Sequence, residues 1–321
     1  MKHIALFSVI AVLVILTAAC SGPAVVVPAT QAAPAVPTMD PNMSGMDMDM
    51  GSGPTSALRP NLDEMPGASM GVMNMEEPIP SVGVPLATET EGGQPLEYTL
   101  DGDVKVFVLT ARPVRWSILK DVAVTAWTYN GTVPGPMIRV TEGDQVRVLV
   151  KNELPDATSI HWHGLPVPNN MDGVPPFTQE AIEPGETFTY EFTAAPAGTF
   201  MYHSHVDTDK QIPVGLYAPL IIDPQEPPVA LPAVDDTLML GEWTIGPDGE
   251  TYPAMPMAGA EPSYFTINGK AFPETKQITV KMGDVVRLRL AGIGQFAHPM
   301  HLHGMSFKIV ATDGNPVPEA A

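Results

Sequence analysis

At 321 residues the chain is long enough for about two domains with a substantial buried core. Its 36 prolines, about double the usual share of ~5%, suit loops and sheet edges and exclude a mainly helical fold. Acidic residues outnumber basic ones 36 to 16, and the net charge of −20 argues against nucleic acid or anionic lipid surfaces as partners.

The chain opens with Lys2 and a mostly apolar run, Ile4 to Ala19, that ends in small residues. This is the layout of an export signal over residues 1–20. Cys20, the only cysteine, follows it. Leu16-Thr17-Ala18-Ala19-Cys20 resembles a bacterial lipoprotein cleavage site, although Thr17 stands where leucine is commonest. The resemblance implies a lipid anchor on Cys20 and a periplasmic or cell-surface location. An ordinary signal peptide or an uncleaved anchor is the competing reading. One cysteine also precludes an internal disulfide.

Residues 21–95 carry no hydrophobic period and are dominated by Pro, Gly, Ala, Ser and acidic residues. Such a segment cannot offset its ordering entropy by burial, so it reads as a disordered tether. Met39, Met43, Met46, Met48, Met50, Met65, Met70, Met73 and Met75 lie within it. Thioethers are soft ligands suited to Cu(I). A compositionally biased linker without a metal role fits the same residues.

From Leu96 the pattern changes to short β-rich runs: Val104 to Ala111, Gln145 to Lys151, Phe188 to Phe192 and Val285 to Leu290. In the second, Val146, Val148 and Val150 share one face and Arg147 and Lys151 the other. Asn130-Gly131, Pro134-Gly135 and Pro184-Gly185 punctuate the runs as turns. Evenly spaced strands without a long amphipathic helix predict an all-β Greek-key sandwich or barrel. The chain also repeats itself. Gly143-Asp144-Gln145-Val146-Arg147 recurs as Gly283-Asp284-Val285-Val286-Arg287, one domain length (~100–150 residues) later, and a histidine cluster follows each copy. Two related β domains follow, over 96–225 and 236–321, with a Pro-rich joint near Asp223 to Asp235.

Apart from His3, every histidine falls in one of three clusters: His161-Trp162-His163-Gly164, His203-Ser204-His205, and His298-Pro299-Met300-His301-Leu302-His303-Gly304. Histidines at i and i+2 of a strand project from one face, so each His-x-His pair can offer two imidazoles to one metal cluster. Imidazole suits copper, zinc, iron and nickel. A zinc hydrolase is a weaker reading, because paired clusters exceed the three or four ligands zinc uses.

These motifs are similar to the copper motifs of the multicopper oxidase (laccase-like) family. The similarity extends through Tyr129-Asn130-Gly131 to Pro136, Met171-Asp172-Gly173-Val174, and Gly215-Leu216 to Ile222. The resemblance implies two cupredoxin-like domains, a trinuclear type 2/type 3 copper cluster and a blue type 1 copper. It assigns His161 and His301 to type 2 copper, and His163, His203, His205 and His303 to the type 3 pair. His298 would be one type 1 ligand, and Asp172 would assist proton delivery; a plain turn residue before Gly173 is the other reading of Asp172. Trp162 reads as a packing residue. The implied reaction couples oxidation of a small phenolic reductant or Cu(I) to reduction of dioxygen to water. The implied assembly is a homotrimer in which the first domain faces a neighbour's second.

Two departures stand out. Ser204 occupies the place where a domain with its own blue copper would carry cysteine, so the first domain should lack a type 1 site. Counting from His303 as from His163, the expected His-Cys-His falls beyond Ala321, and six of the family's eight trinuclear histidines are present. The second domain is therefore expected to be incomplete, with apolar surface and an unpaired edge exposed. A non-catalytic copper-binding lipoprotein is the chief alternative. Copper nitrite reductase fits less well, since that family carries its blue site in the first domain, where this chain has Ser204.

Overall fold

The computed structural model describes residues 77–226, 231–253 and 262–317. The export signal, Cys20 and the methionines from Met39 to Met75 lie outside the described residues. Among the described residues packing begins at Ile79, upstream of Leu96. Ile79 is buried, and single-residue bridges tie Ile79, Leu86 and Pro95 to Thr251, Arg115 and Met137. Isolated bridges leave no periodic signature, which is why residues 77–95 read as tether in the sequence.

Among the described residues fifteen strands follow: β1 (Thr99–Asp101), β2 (Val104–Leu119), β3 (Val122–Tyr129), β4 (Ile138–Thr141), β5 (Gln145–Asn152), β6 (His161–His163), β7 (Thr187–Thr193), β8 (Gly198–His203), β9 (Tyr217–Asp223), β10 (Val234–Ile245), β11 (Thr251–Tyr252), β12 (Tyr264–Ile267), β13 (Val286–Gly292), β14 (Ala311–Thr312) and β15 (Asn315–Pro316). Among the described residues the helical pieces are α1 (Thr208–Gln211) and a 3-10 turn at Asn169–Met171. The predicted all-β class is the one observed.

The first β region is a sandwich. One sheet runs β1-β2-β5-β7 with β3 also on β2; the other runs β4-β9-β8-β6. Val146, Val148 and Val150 of β5 point inward as their alternation predicts, each burial contributing about 1.5–3 kcal/mol over exposure. Trp116, Trp162, Tyr129, Tyr190 and Tyr202 are fully buried, and large aromatic rings of this kind dominate the apolar area removed from water.

The internal repeat is structural as well as sequential. Gly143 and Gly283 both adopt φ +93°, and the carboxylates of Asp144 and Asp284 accept from the backbone N–H three residues before, Thr141 at 2.6 Å and Lys281 at 2.7 Å. Each turn launches a strand paired in parallel with an earlier one, β5 on β2 and β13 on β10. That earlier strand also takes an antiparallel neighbour, β3 on β2 and β12 on β10.

The second β region is centred on β10, which also pairs with β11. Its core is open. Met282, Val285, Leu290, Met305, Phe307, Ile309 and Val310 are exposed. The two regions are held together by polar contacts: Trp116 Nε1 donates to Gly269 O at 2.7 Å, and Lys270 Nζ to Ser117 O at 2.6 Å. Asp235 of β10 receives Arg139 of β4 together with Arg287 and Arg289 of β13.

Candidate metal centre

β6 is the edge strand of the second sheet, antiparallel to β8 with His161 opposite His203, Trp162 opposite Tyr202 and His163 opposite Met201. Alternation sends Trp162 into the core, where its ring packs on Phe192 at 4.8 Å and Tyr190 at 5.5 Å between centroids. The same alternation sends His161 and His163 to the opposite face. Directly paired residues share a face, so His203 joins them. His205, just past the end of β8, closes the group, its ring centroid 5.3 Å from that of His161.

One nitrogen from each of His161, His163 and His203 lies within 4.8 Å of the others. His161 Nδ1 lies 2.8 Å from Asp172 O and 3.4 Å from Asp172 Oδ1, and His203 Nδ1 lies 2.8 Å from Ser204 O. Those contacts fix both rings and leave their Nε2 atoms facing the cluster. His163 presents Nδ1 instead, 3.1 Å from His203 Nε2. Burial, and then the neighbouring His161, lower the pKa of His163. For His203 burial outweighs the Ser204 carbonyl and brings the pKa down to about 4. Both are therefore neutral at physiological pH, the form that ligates metal.

A cavity of about 330 Å³ opens over this face, lined by the four histidines with Met201, Ile212, Gly292 and Ile293. The last two belong to the end of β13 and the residue after it, so both β regions contribute walls. Asp172 terminates the 3-10 turn at Asn169–Met171 and serves both as a turn residue and as the partner of His161. Gly173 follows with φ +75°, and a Cβ there would lie 1.8 Å from Ile160 O. Glycine is required at that position.

The other three predicted ligands stand apart. His301 and His303 are exposed, with ring centroids 4.9 Å apart, and neither lines the cavity. His298 turns its Nε2 to Glu242 Oε1 at 2.6 Å, and its ring lies perpendicular to that of Phe265 with centroids 5.6 Å apart. Sequence reading missed Glu242; its signal is a carboxylate just after the apolar run Leu238-Met239-Leu240 of β10, set between Gly241 and Trp243.

The donor set fits copper: four imidazoles around one partly enclosed space, with the rings of His161 and His203 fixed through their Nδ1 atoms. Two profiles described as multicopper oxidase match residues 110–227 and 246–321. The chain is 33% identical to multicopper oxidase MmcO of Mycobacterium tuberculosis over 241 residues, covering 65% of this chain and 47% of that protein. It is 46% identical to copper resistance protein A of Pseudomonas syringae pv. tomato over 120 residues, covering 37% and 19%. The chain thus spans about half or less of the length of these curated relatives. Among solved structures, the blue copper oxidase of Nitrosomonas europaea superposes with TM-score 0.61 at 41% identity, over 66% of this chain and 68% of that one. The multicopper oxidase mgLAC gives TM-score 0.61 at 35% identity, with the same coverages. The paired His-x-His strands, the repeated β unit and these matches place the chain in the multicopper oxidase family.

Proposed function

We propose that this protein is a copper-dependent oxidase that couples one-electron oxidation of a small reductant, a phenolic compound or Cu(I), to reduction of dioxygen to water. The observation that carries the reading is the convergence of His161, His163 and His203 within 4.8 Å, with His205 beside them. His161 would hold type 2 copper together with His301. His163, His203, His205 and His303 would hold the type 3 pair, and His298 would serve a type 1 site. Copper bound there would supply the one-electron redox chemistry. The protein's own part is to fix the imidazoles and carry protons. Asp172 is suited to the last task, since its carboxylate stands 3.4 Å from His161 Nδ1 and is partly open to solvent.

His301 and His303 lie outside the cavity and are exposed, so a neighbouring copy could meet the cluster with them, consistent with a homotrimer. Among the described residues no helix is long and apolar enough to cross a membrane. The sequence at residues 1–20 supports export, with a lipid anchor on Cys20 at the periplasmic or outer face.

The test is copper loading of the purified protein, followed by dioxygen uptake with a phenol or Cu(I), run beside nitrite consumption. Copper bound at the histidine cluster with weak reductant-dependent dioxygen uptake is the expected result, because neither β region carries a cysteine for type 1 copper. Copper binding without uptake would assign the protein to copper binding alone, and nitrite consumption would overturn the oxidase reading.

A further inference from the structure

Beneath the four histidines lies a fully buried polar network that the metal-binding reading does not use. Gln211, at the end of α1, is 1% exposed, and Thr158 and Ser204 are completely buried. The Gln211 amide oxygen accepts from Ser204 Oγ at 2.7 Å and from Thr158 Oγ1 at 2.8 Å, while its Nε2 donates to Ala157 O at 2.8 Å. An amide oxygen has two lone pairs, and here both are filled by hydroxyls from different parts of the chain.

The segments joined in this way are those that carry the ligands. Ser204 separates His203 from His205. Thr158 belongs to the stretch that leads into β6 and His161. The neighbouring Ser159 extends the link: His205 N donates to Ser159 Oγ at 3.2 Å, and Ser159 Oγ donates to Gly173 O at 2.8 Å, one residue from the Asp172 carbonyl that holds His161. The backbone repeats the tie, with Leu216 N donating to Gln211 O and Ser204 N to Leu216 O, both at 3.1 Å. No other polar side-chain type serves equally well. Asparagine is a methylene shorter, and glutamate would set a carboxylate against the Ala157 carbonyl in a buried site.

From this arrangement we infer that Gln211 is a positioning residue, whose amide sets the spacing between the two His-x-His pairs and so preorganises the copper ligands. It touches no metal or substrate and acts through Ser204 and Thr158. The inference rests on the cluster being a copper site. Fully satisfied buried networks rigidify what they connect, whereas an unpaired buried hydroxyl is costly, so loss of the amide should loosen the ligand loop as well as the core.

The experiment uses the full chain and reads two quantities: copper affinity of the histidine cluster, and hydrogen exchange of the His205 and Val206 amides in metal-free protein. Gln211→Met keeps the volume and removes both hydrogen-bonding groups. It is expected to weaken copper binding about 10- to 100-fold, the range for lost partners behind metal ligands, and to speed exchange at those two amides. Thr158→Val should act in the same direction, and Thr158→Ser, which keeps the hydroxyl, should bind copper within about two-fold of the unchanged protein. Val148→Ala, in the opposite sheet, lowers overall stability without moving either readout. Gln211→Met and Thr158→Val that bind copper normally with unaltered exchange would overturn the positioning role while leaving the copper site standing. Absence of copper from the cluster of the unchanged protein would overturn both readings together.

Discussion

Glu242 Oε1 lies 2.6 Å from His298 Nε2, and the Glu242 side chain is 1% exposed while that of His298 is 15% exposed. The other carboxylate oxygen accepts from Gln295 N at 3.2 Å. The pair is asymmetric. Glu242→Leu leaves behind an imidazole that can turn to solvent, whereas His298→Ala leaves a carboxylate sealed in the β10 core. The first should cost about 1–3 kcal/mol and the second about 3–5 kcal/mol, measured by urea unfolding. Equal costs would count against that asymmetry.

Asp235 carries the acid sensitivity of the joint between the β regions. Burial pushes its carboxyl up, but the hydrogen bonds from Arg289 and Arg287 outweigh this and hold it well below the usual carboxylate range. A carboxylate depressed in the folded state stabilises the fold at pH values above its unfolded value of about 3.9, and that contribution is lost as pH falls from there. Asp235→Asn should lower stability by about 2–3 kcal/mol at neutral pH, less than a fully buried pair. It should also flatten the loss of stability below about pH 4. Unfolding titrations from pH 7 to pH 2 of both proteins check this; parallel curves would count against it.

Gly173→Ala combines two faults. The left-handed backbone costs about 1–2 kcal/mol for any residue with a Cβ, and here that Cβ meets Ile160 O at 1.8 Å. Because the chain must shift, the Asp172 carbonyl moves away from His161 Nδ1, and copper affinity should fall along with stability. Gly185→Ala shares the left-handed backbone, at φ +87°, but faces open space, so it should cost only about 1 kcal/mol and leave copper binding intact.

Trp162 lies between His161 and His163 yet points away from them into the aromatic core. Trp162→Ala should cost about 3–5 kcal/mol, whereas Trp162→Phe should retain most of the stability and the copper stoichiometry. Loss of copper from a well-folded Phe variant would reveal a role beyond packing.

The 321-residue chain should show no intense blue thiolate-to-copper band, because its one cysteine is Cys20 and the buried Ser204 hydroxyl is engaged by Gln211. Absorption spectra after copper loading decide it, and an intense blue band would contradict the ligand set.

The strands of the first β region were legible because their inward faces alternate cleanly; Val146, Val148 and Val150 read as one face in sequence and form one in space. The histidines were legible for the same reason, since period two turns His-x-His into a pair on one surface. Glu242 and Gln211 were not. Each acts on a residue distant in the chain, His298 for one and Thr158 for the other, and no periodic signal reports a hydrogen bond across a fold. The packed stretch from Ile79 to Pro95 was hidden because its partners are contributed one residue at a time. The seven predicted ligands looked alike in sequence, but the strand pairing that gathers His161, His163 and His203 has no counterpart around His301 and His303.

Gly292 and Ile293 wall the histidine cavity from the second β region while the imidazoles belong to the first. The opening over the ligands is therefore an aperture set by the seam between two independently built halves. A Cβ at Gly292 would meet nothing within 4 Å, so the rim tolerates added bulk. Side-chain size at that one position then sets the width of the opening, with the four imidazoles themselves untouched.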